Sequence, residues 1–264
     1  MLTGDAALLA RLGISRPLFL DAAMGTALIL RGLEPHAERA PTWSLLHPRE
    51  VSEIHAAHVS AGAELVLTNT FSETAPTVQE ASASLRLARA EGPRFVAGAL
   101  WADLPPAQIE QAVRALAGAD AIWLETATSA DKARAAVAAA CSVTAQPVIV
   151  TLAFTQLNEP GWEAALVALA DAGAAAVGFN CSPWPQKPGA LAGLARQIVH
   201  AAGVPAVLKP DAANLSAEAW AHELGLAAEA GALLLGGCCG TTAAHLAALR
   251  NCAWPAARQR SAPC

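Results

Sequence analysis

Short apolar runs alternate along the chain with longer stretches whose apolar residues recur at helical spacing. The runs are Leu18–Met24, Leu65–Phe71, Arg94–Leu100, Ala121–Thr126, Pro147–Phe154, Ala176–Ser182, Pro205–Ala212 and Ala232–Cys239. Each is strand-like in length. Between them lie the Ala- and Leu-rich segments Pro48–Ala61, Pro106–Leu116, Ala130–Ala140, Gly161–Ala172, Gly189–Ala202 and Ala217–Ala230, which read as helices. Glycines at 62, 173, 203 and 231 stand just before the next run, where a helix closes in the left-handed conformation that glycine accepts. Ser216 and Ser129 stand at helix starts as N-caps. Eight strands alternating with helices predict an α/β fold, a single (β/α)8 TIM barrel formed by residues 1–264 as one domain, with a tail at 253–264 expected to fray. The competing architecture is an open doubly wound sheet. It wants Gly-x-Gly-x-x-Gly after its first strand, and Asp21-Ala22-Ala23-Met24-Gly25-Thr26 is not that sequence.

Composition agrees with a large buried core. Hydrophobic residues make up 54% of the 264 and charged ones 15%. The formal net charge is -5 and no Lys/Arg stripe forms, so nucleic acid is not an expected partner. No apolar run approaches the roughly 20 residues that span a bilayer, and the first 17 residues do not read as a signal peptide. Six cysteines in a chain this long do not form a disulfide scaffold, so a reducing cytoplasm is the expected compartment.

A barrel places its active site at the C-terminal ends of its strands. Those ends carry Asp21 and Met24, then Thr68-Asn69-Thr70, Glu125, Asn180-Cys181, Lys209 and Asp211, and finally Cys238-Cys239. A ring of polar groups is costly in a core, so it is expected to be a site. Cys181 ends the sixth run and Cys238-Cys239 the eighth. Adjacent cysteines pair poorly with each other, because the small ring strains the peptide. Three sulfurs from two nearby strand ends can instead take three corners of a zinc tetrahedron, leaving the fourth open as catalytic sites do. Gly236 and Gly237 would let the strand end pass close beneath metal and substrate. Other readings stay open. The pair could be redox-active, or its glycines could cradle phosphate at the next helix. Lys209 could form a Schiff base in a lyase or aldolase. Cys141 and Cys252 read as core filler, and Cys264 has no partner in view. His55 and His58 share one helical face, where docking of the helix on the barrel outweighs metal binding.

Together, Asp21-Ala22-Ala23-Met24-Gly25-Thr26, Thr68-Asn69-Thr70-Phe71, Gly178-Phe179-Asn180-Cys181, Lys209-Pro210-Asp211-Ala212 and Gly236-Gly237-Cys238-Cys239-Gly240-Thr241-Thr242 resemble the homocysteine S-methyltransferase family over about Leu18–Leu249. The resemblance implies a zinc-dependent barrel that methylates the thiol of homocysteine to give methionine. It implies zinc on Cys181, Cys238 and Cys239. Asp21 and Glu125 would hold the substrate ammonium, and the Met24-Gly25 backbone would receive its carboxylate. Trp43 would stand near the methyl donor. Asn69 is expected at the substrate site, and Asn69, Asn180 and Lys209 as supports for its loops. The pattern departs from the family at Ala22, where glycine is usual, and at Asp211, where asparagine is usual. The short stretch from Phe71 to Trp101 leaves the donor side lightly covered. A stand-alone enzyme of this kind would need a small donor or a separate methyl-carrying corrinoid partner. A non-catalytic thiol- or zinc-binding barrel is the alternative.

Overall fold

The computed structural model describes residues 16–153, 161–182, 184–185 and 187–252. Eight strands form one sheet: β1 (Leu18–Phe19), β2 (Leu65–Leu67), β3 (Phe95–Trp101), β4 (Ala121–Ala127), β5 (Val148–Leu152), β6 (Ala176–Asn180), β7 (Ala206–Lys209) and β8 (Leu234–Leu235). They run in the order β1-β8-β7-β6-β5-β4-β3-β2, and every pairing is parallel. The two ends of that order meet where Leu20 bridges Leu65 and the Glu64 N–H donates to the Phe19 carbonyl at 2.8 Å. The sheet thus closes into a (β/α)8 TIM barrel, as the alternation of runs predicts.

Ten helices lie among the described residues: α1 (Met24–Ile29), α2 (Ala40–Leu46), α3 (Pro48–Ala61), α4 (Val78–Ala90), α5 (Pro106–Ala115), α6 (Ala130–Val143), α7 (Trp162–Asp171), α8 (Ala190–Ala202), α9 (Ala217–Glu229) and α10 (Ala243–Asn251). Gly62, Gly173, Gly203 and Gly231 all have positive φ, as their place at helix ends requires. Ser216 caps α9 by accepting from the Ala219 N–H at 3.2 Å. Ser129 stands at the start of α6 but makes no side-chain cap bond. The expected strand residue Phe154 and the tail at 253–264 lie outside the described residues.

Two layers of apolar side chains follow from the two-residue period of the strands. One set faces the helices and includes Leu100, Ile122, Leu124, Val150, Val177, Phe179 and Leu208. The other fills the barrel interior, with Leu18, Leu20, Leu65, Leu67, Ile149, Val207 and Leu234 around Trp123. Small partners at Ala97, Ala99, Ala121 and Ala176 make room for that indole. Two residues further along the same faces, the interior positions change character. Trp123 is followed by Glu125, Val207 by Lys209 and Gly178 by Asn180. The apolar plug therefore ends in a polar layer at the C-terminal mouth.

His55 and His58 pack inward from α3 and are buried at 0% and 3% exposure. Both His55 ring nitrogens and Nδ1 of His58 lack hydrogen-bond partners. This is helix docking rather than a ligand pair. Burial pushes the His55 imidazole down from 6.5 to about 4, with Asp21 opposing and His58 adding to the shift. Between those values the unfolded chain binds a proton that the folded chain refuses. Stability is therefore full above pH 6.5 and is lost on acidification toward pH 4, with His55 costing about 2 kcal/mol by pH 4.5. Urea unfolding at pH 7 and pH 4.5 should show this loss in the wild type, and His55→Phe should remove most of it. An equal loss in both proteins would contradict the assignment.

Candidate active site and metal centre

At the barrel mouth three charged side chains from β1, β4 and β7 converge. Asp21, just past β1, accepts from the Leu67 N–H through Oδ2 at 2.7 Å, which ties it to β2. Its Oδ1 accepts from Lys209 Nζ at 3.3 Å, and the same Nζ lies 3.9 Å from Glu125 Oε2. The side chains of Lys209, Asp21 and Glu125 are 4%, 1% and 14% exposed, so the cluster is largely removed from water. Lys209 Nζ also sits 5.4 Å from the centroid of the Trp123 ring, a cation–π distance. Burial pushes the Glu125 carboxyl up. Lys209 pulls it back, and Asp21 adds to the rise.

Glu125 is aimed by an irregularity in its strand. The β4–β5 register shifts between Leu124 and Ala127, and Thr126 has φ 60. A β-branched residue disfavours that left-handed conformation, so something must hold it. Asn180 does so. Its Oδ1 accepts from the Thr126 N–H at 3.0 Å and its Nδ2 donates to Thr126 Oγ1 at 2.8 Å. The same Nδ2 lies 3.7 Å from Cys238 Sγ, so one amide links the carboxylate side to the sulfur side. Asn180→Ala should lower the site's kcat/KM by roughly 10- to 100-fold, the range seen when partners of ligands are lost. Steady-state kinetics at matched protein and metal content checks this; an unchanged kcat/KM would contradict it.

The sulfurs come from β6 and β8. Cys181 follows Asn180 with φ 48. The Cys238 N–H donates to the Pro210 carbonyl at 2.9 Å, and Ala212 N–H donates to the Cys239 carbonyl at 3.0 Å. Thr241 Oγ1 donates to the Cys238 carbonyl at 2.6 Å. Gly240 N–H donates to Thr26 Oγ1 at 3.3 Å, which sets the start of α1 against the cysteine loop. The three ligand atoms of Cys181, Cys238 and Cys239 lie within 4.8 Å of one another, and no other such trio of ligand-type residues occurs among the described residues. The sequence reading has three free thiols here. In the structure Cys181 and Cys238 are joined as a disulfide, because strand ends on either side of β7 bring their Cα atoms to 5.7 Å. Cys239 Sγ lies 3.1 Å from Cys181 Sγ and 4.0 Å from Cys238 Sγ. Tetrahedral zinc with bonds near 2.3 Å needs sulfurs about 3.8 Å apart. Once the disulfide is reduced, the donor set fits zinc with small movements. Although the residue is exposed, partial desolvation of its sulfur pushes the Cys239 thiol up, with a backbone hydrogen bond and Lys209 opposing and Asp211 and Glu125 adding, so a bound metal must compete with its proton.

The homocysteine S-methyltransferase family model matches residues 18–100 and 106–253. The chain belongs to the homocysteine S-methyltransferase family. The Escherichia coli homocysteine methyltransferase MmuM has the same fold. Its apo form is 23% identical with TM-score 0.71, covering 90% of this chain and 97% of its own. Its metallated form is 23% identical with TM-score 0.72, covering 92% and 98%. The carboxyl transferase domain of Rhizobium etli pyruvate carboxylase aligns at 16% identity and TM-score 0.61, over 89% of this chain and 42% of that one.

Within this family member the remaining expected residues fall in different surroundings. Met24 and Gly25 open α1 beside the cysteine loop; Gly25 is exposed, with nothing within 4 Å of where a Cβ would stand. Trp43 is 4% exposed in a satellite cluster with Leu28, Leu33, Val51 and Ile54. Its indole donates to Glu38 Oε2 at 3.3 Å and stacks on His47 at 4.3 Å. Those contacts are packing contacts. Asn69 Nδ2 donates to the Ala40 carbonyl at 2.7 Å and to Ser44 Oγ at 3.2 Å, so its amide nitrogen fastens α2 to the end of β2. The hydroxyls of Thr68 and Thr70 bond to the backbone of Ala99 and continue the β2–β3 ladder. At Gly236 and Gly237 an added Cβ would meet Leu20 and Asp21, and Thr241, so both glycines allow close packing of the strand end. Cys141 is exposed and so is not core filler, whereas half-buried Cys252 packs against the main core. Sequence reasoning missed the ion cluster on Lys209 and the Thr126–Asn180 clamp.

Proposed function

We propose that this chain transfers a methyl group from an activated donor to the thiol of L-homocysteine, giving methionine. The observation that carries this reading is the convergence of Cys181, Cys238 and Cys239 beside buried Asp21 and Glu125 at the mouth of a barrel of this family. In the reduced chain the three cysteines would hold zinc. When bound, zinc supplies a Lewis-acid position that makes an incoming thiol nucleophilic near neutral pH.

The chain's own residues bind and orient. Asp21 and Glu125 offer carboxylates to the acceptor's ammonium, which competes there with Lys209. The Met24-Gly25 backbone, exposed and uncrowded, is the place for its carboxylate. Asn180 fixes Glu125 and Cys238 relative to each other. The acceptor sulfur then takes the methyl group as the donor's leaving group departs with the bonding pair, and the thiol proton goes to solvent. No side chain is required as general base.

Reduced, zinc-supplemented protein should form methionine from homocysteine with at least one of S-methylmethionine, S-adenosylmethionine, betaine or a methylated corrinoid protein. Methionine from none of them would overturn the reading. One observation favours a second form of it. Among the described residues the exposed large apolar side chains, Ile29, Leu30, Leu45, Leu46, Phe71 and Val78, all lie in the connections after β1 and β2. Exposed apolar side chains in these two connections fit a protein partner that delivers the methyl group, a corrinoid carrier. Turnover with the carrier alone would select this form; turnover with a small donor would exclude it. Among the described residues no helix is long and apolar enough to cross a membrane, and cytoplasmic location remains part of the proposal.

A further inference from the structure

We propose that Lys209 sets acceptor specificity: its ammonium fills the place between Asp21 and Glu125, so the site takes a thiol lacking an α-ammonium about as readily as one carrying it. This rests on the acceptor reading above and refines its substrate class.

Two carboxylates facing one point in a site sheltered from water are built to hold a cation. Here the chain supplies one. Both oxygens of Asp21 are already engaged, Oδ2 by the Leu67 N–H and Oδ1 by Lys209 Nζ, and Lys209 Nζ is also the ion-pair partner of Glu125. Lys209 reaches this point from the interior face of β7, two residues beyond Val207, and passes Trp123 on the way. Its side chain is 4% exposed, so it is packed into this position rather than resting there from the surface. A substrate ammonium arriving between the carboxylates must displace it, because two like charges cannot share the position. The attraction gained by the incoming cation is then offset by the attraction lost to Lys209. A thiol acid without the amine leaves the internal ion cluster intact, and its carboxylate and sulfur still have their own sites.

The probe pair is homocysteine and 4-mercaptobutyrate, which differ by the amine. A site that depends on a substrate's polar group normally rejects the analogue lacking it by orders of magnitude. Calorimetric titration of the reduced, zinc-loaded wild type should instead give dissociation constants within about 5-fold of each other, since Lys209 already holds the position between the two carboxylates. In Lys209→Met the substrate ammonium becomes the available counter-ion, and homocysteine should bind at least about 10-fold more tightly than 4-mercaptobutyrate. Wild type favouring homocysteine by about 30-fold or more would overturn the proposal, because the amine would then be a binding determinant despite Lys209. If Lys209→Met does not fold, the wild-type ratio decides alone. Methyl transfer to each thiol is followed in parallel. Near-equal binding without methylation of either thiol overturns the proposed function and leaves the Lys209 assignment standing. Methylation with a strong homocysteine preference does the reverse. Binding of neither thiol contradicts both.

Discussion

Cys239→Ser should leave the reduced protein unable to retain zinc and should lower methyl transfer by about a thousandfold, the scale of losing several kcal/mol of Lewis-acid assistance. Cys239 is the informative member of the trio. It stands outside the disulfide and is exposed, so its replacement leaves the barrel core untouched. Its sulfur is nonetheless 3.1 Å and 4.0 Å from the other two, at ligand spacing. A serine hydroxyl at that point is a far poorer ligand for zinc than a thiolate. Metal analysis after reduction, thermal unfolding and a methyl-transfer assay separate loss of metal from loss of fold. Full zinc and full activity in the variant would sink the three-thiolate site.

Gly236→Ala is expected to damage the site by adding a single methyl group. The new carbon would stand 2.5 Å from Leu20 Cβ and 2.8 Å from the Asp21 carbonyl oxygen. The oxygen is backbone, held by the Gly237 N–H at 3.0 Å, so it cannot turn aside. Relief requires β1 and β8 to part at the mouth end of their ladder. The cost should be about 3 kcal/mol, at the upper end of overpacking penalties. Activity should fall with it, because Asp21 moves with its carbonyl. Gly193→Ala is the control. It lies inside α8 with nothing within 4 Å of the new carbon, and should be neutral or stabilising by about 0.5 kcal/mol. Urea unfolding of the two variants side by side measures the difference. Equal midpoints would contradict the account of how β1 and β8 fit together.

Much of this architecture is legible in the sequence because buried parallel strands must be apolar and their helices must carry an apolar stripe. Every predicted run overlaps a strand; six of the strands are shorter than their runs, while β3 and β4 each extend one residue past theirs. Leu18–Met24 is ladder only at Leu18–Phe19, because the chain turns through Asp21 and begins α1 at Met24. Helix α4 is hard to see because the face it buries is small, with Ala81, Ala83, Ser84 and Ala88, although its Thr77–Glu80 capping box is a readable signal. The convergence of Cys181, Cys238 and Cys239 is legible because barrel topology places alternate strand ends on one rim. The ion cluster is not. Lys209 and Asp21 are 188 residues apart, and periodicity says that both reach the mouth without saying that they meet. Nor does any local pattern foretell a left-handed Thr126, which exists because a distant Asn180 holds it.

The central claim is that methyl transfer depends on zinc held by the three cysteines. The direct measurement is metal content and methionine formation in one reduced preparation, before chelation, after chelation and after zinc is returned. The account predicts one zinc per chain, loss of methionine formation on its removal and recovery when it is restored. Undiminished methionine formation by the metal-free, reduced protein would contradict it.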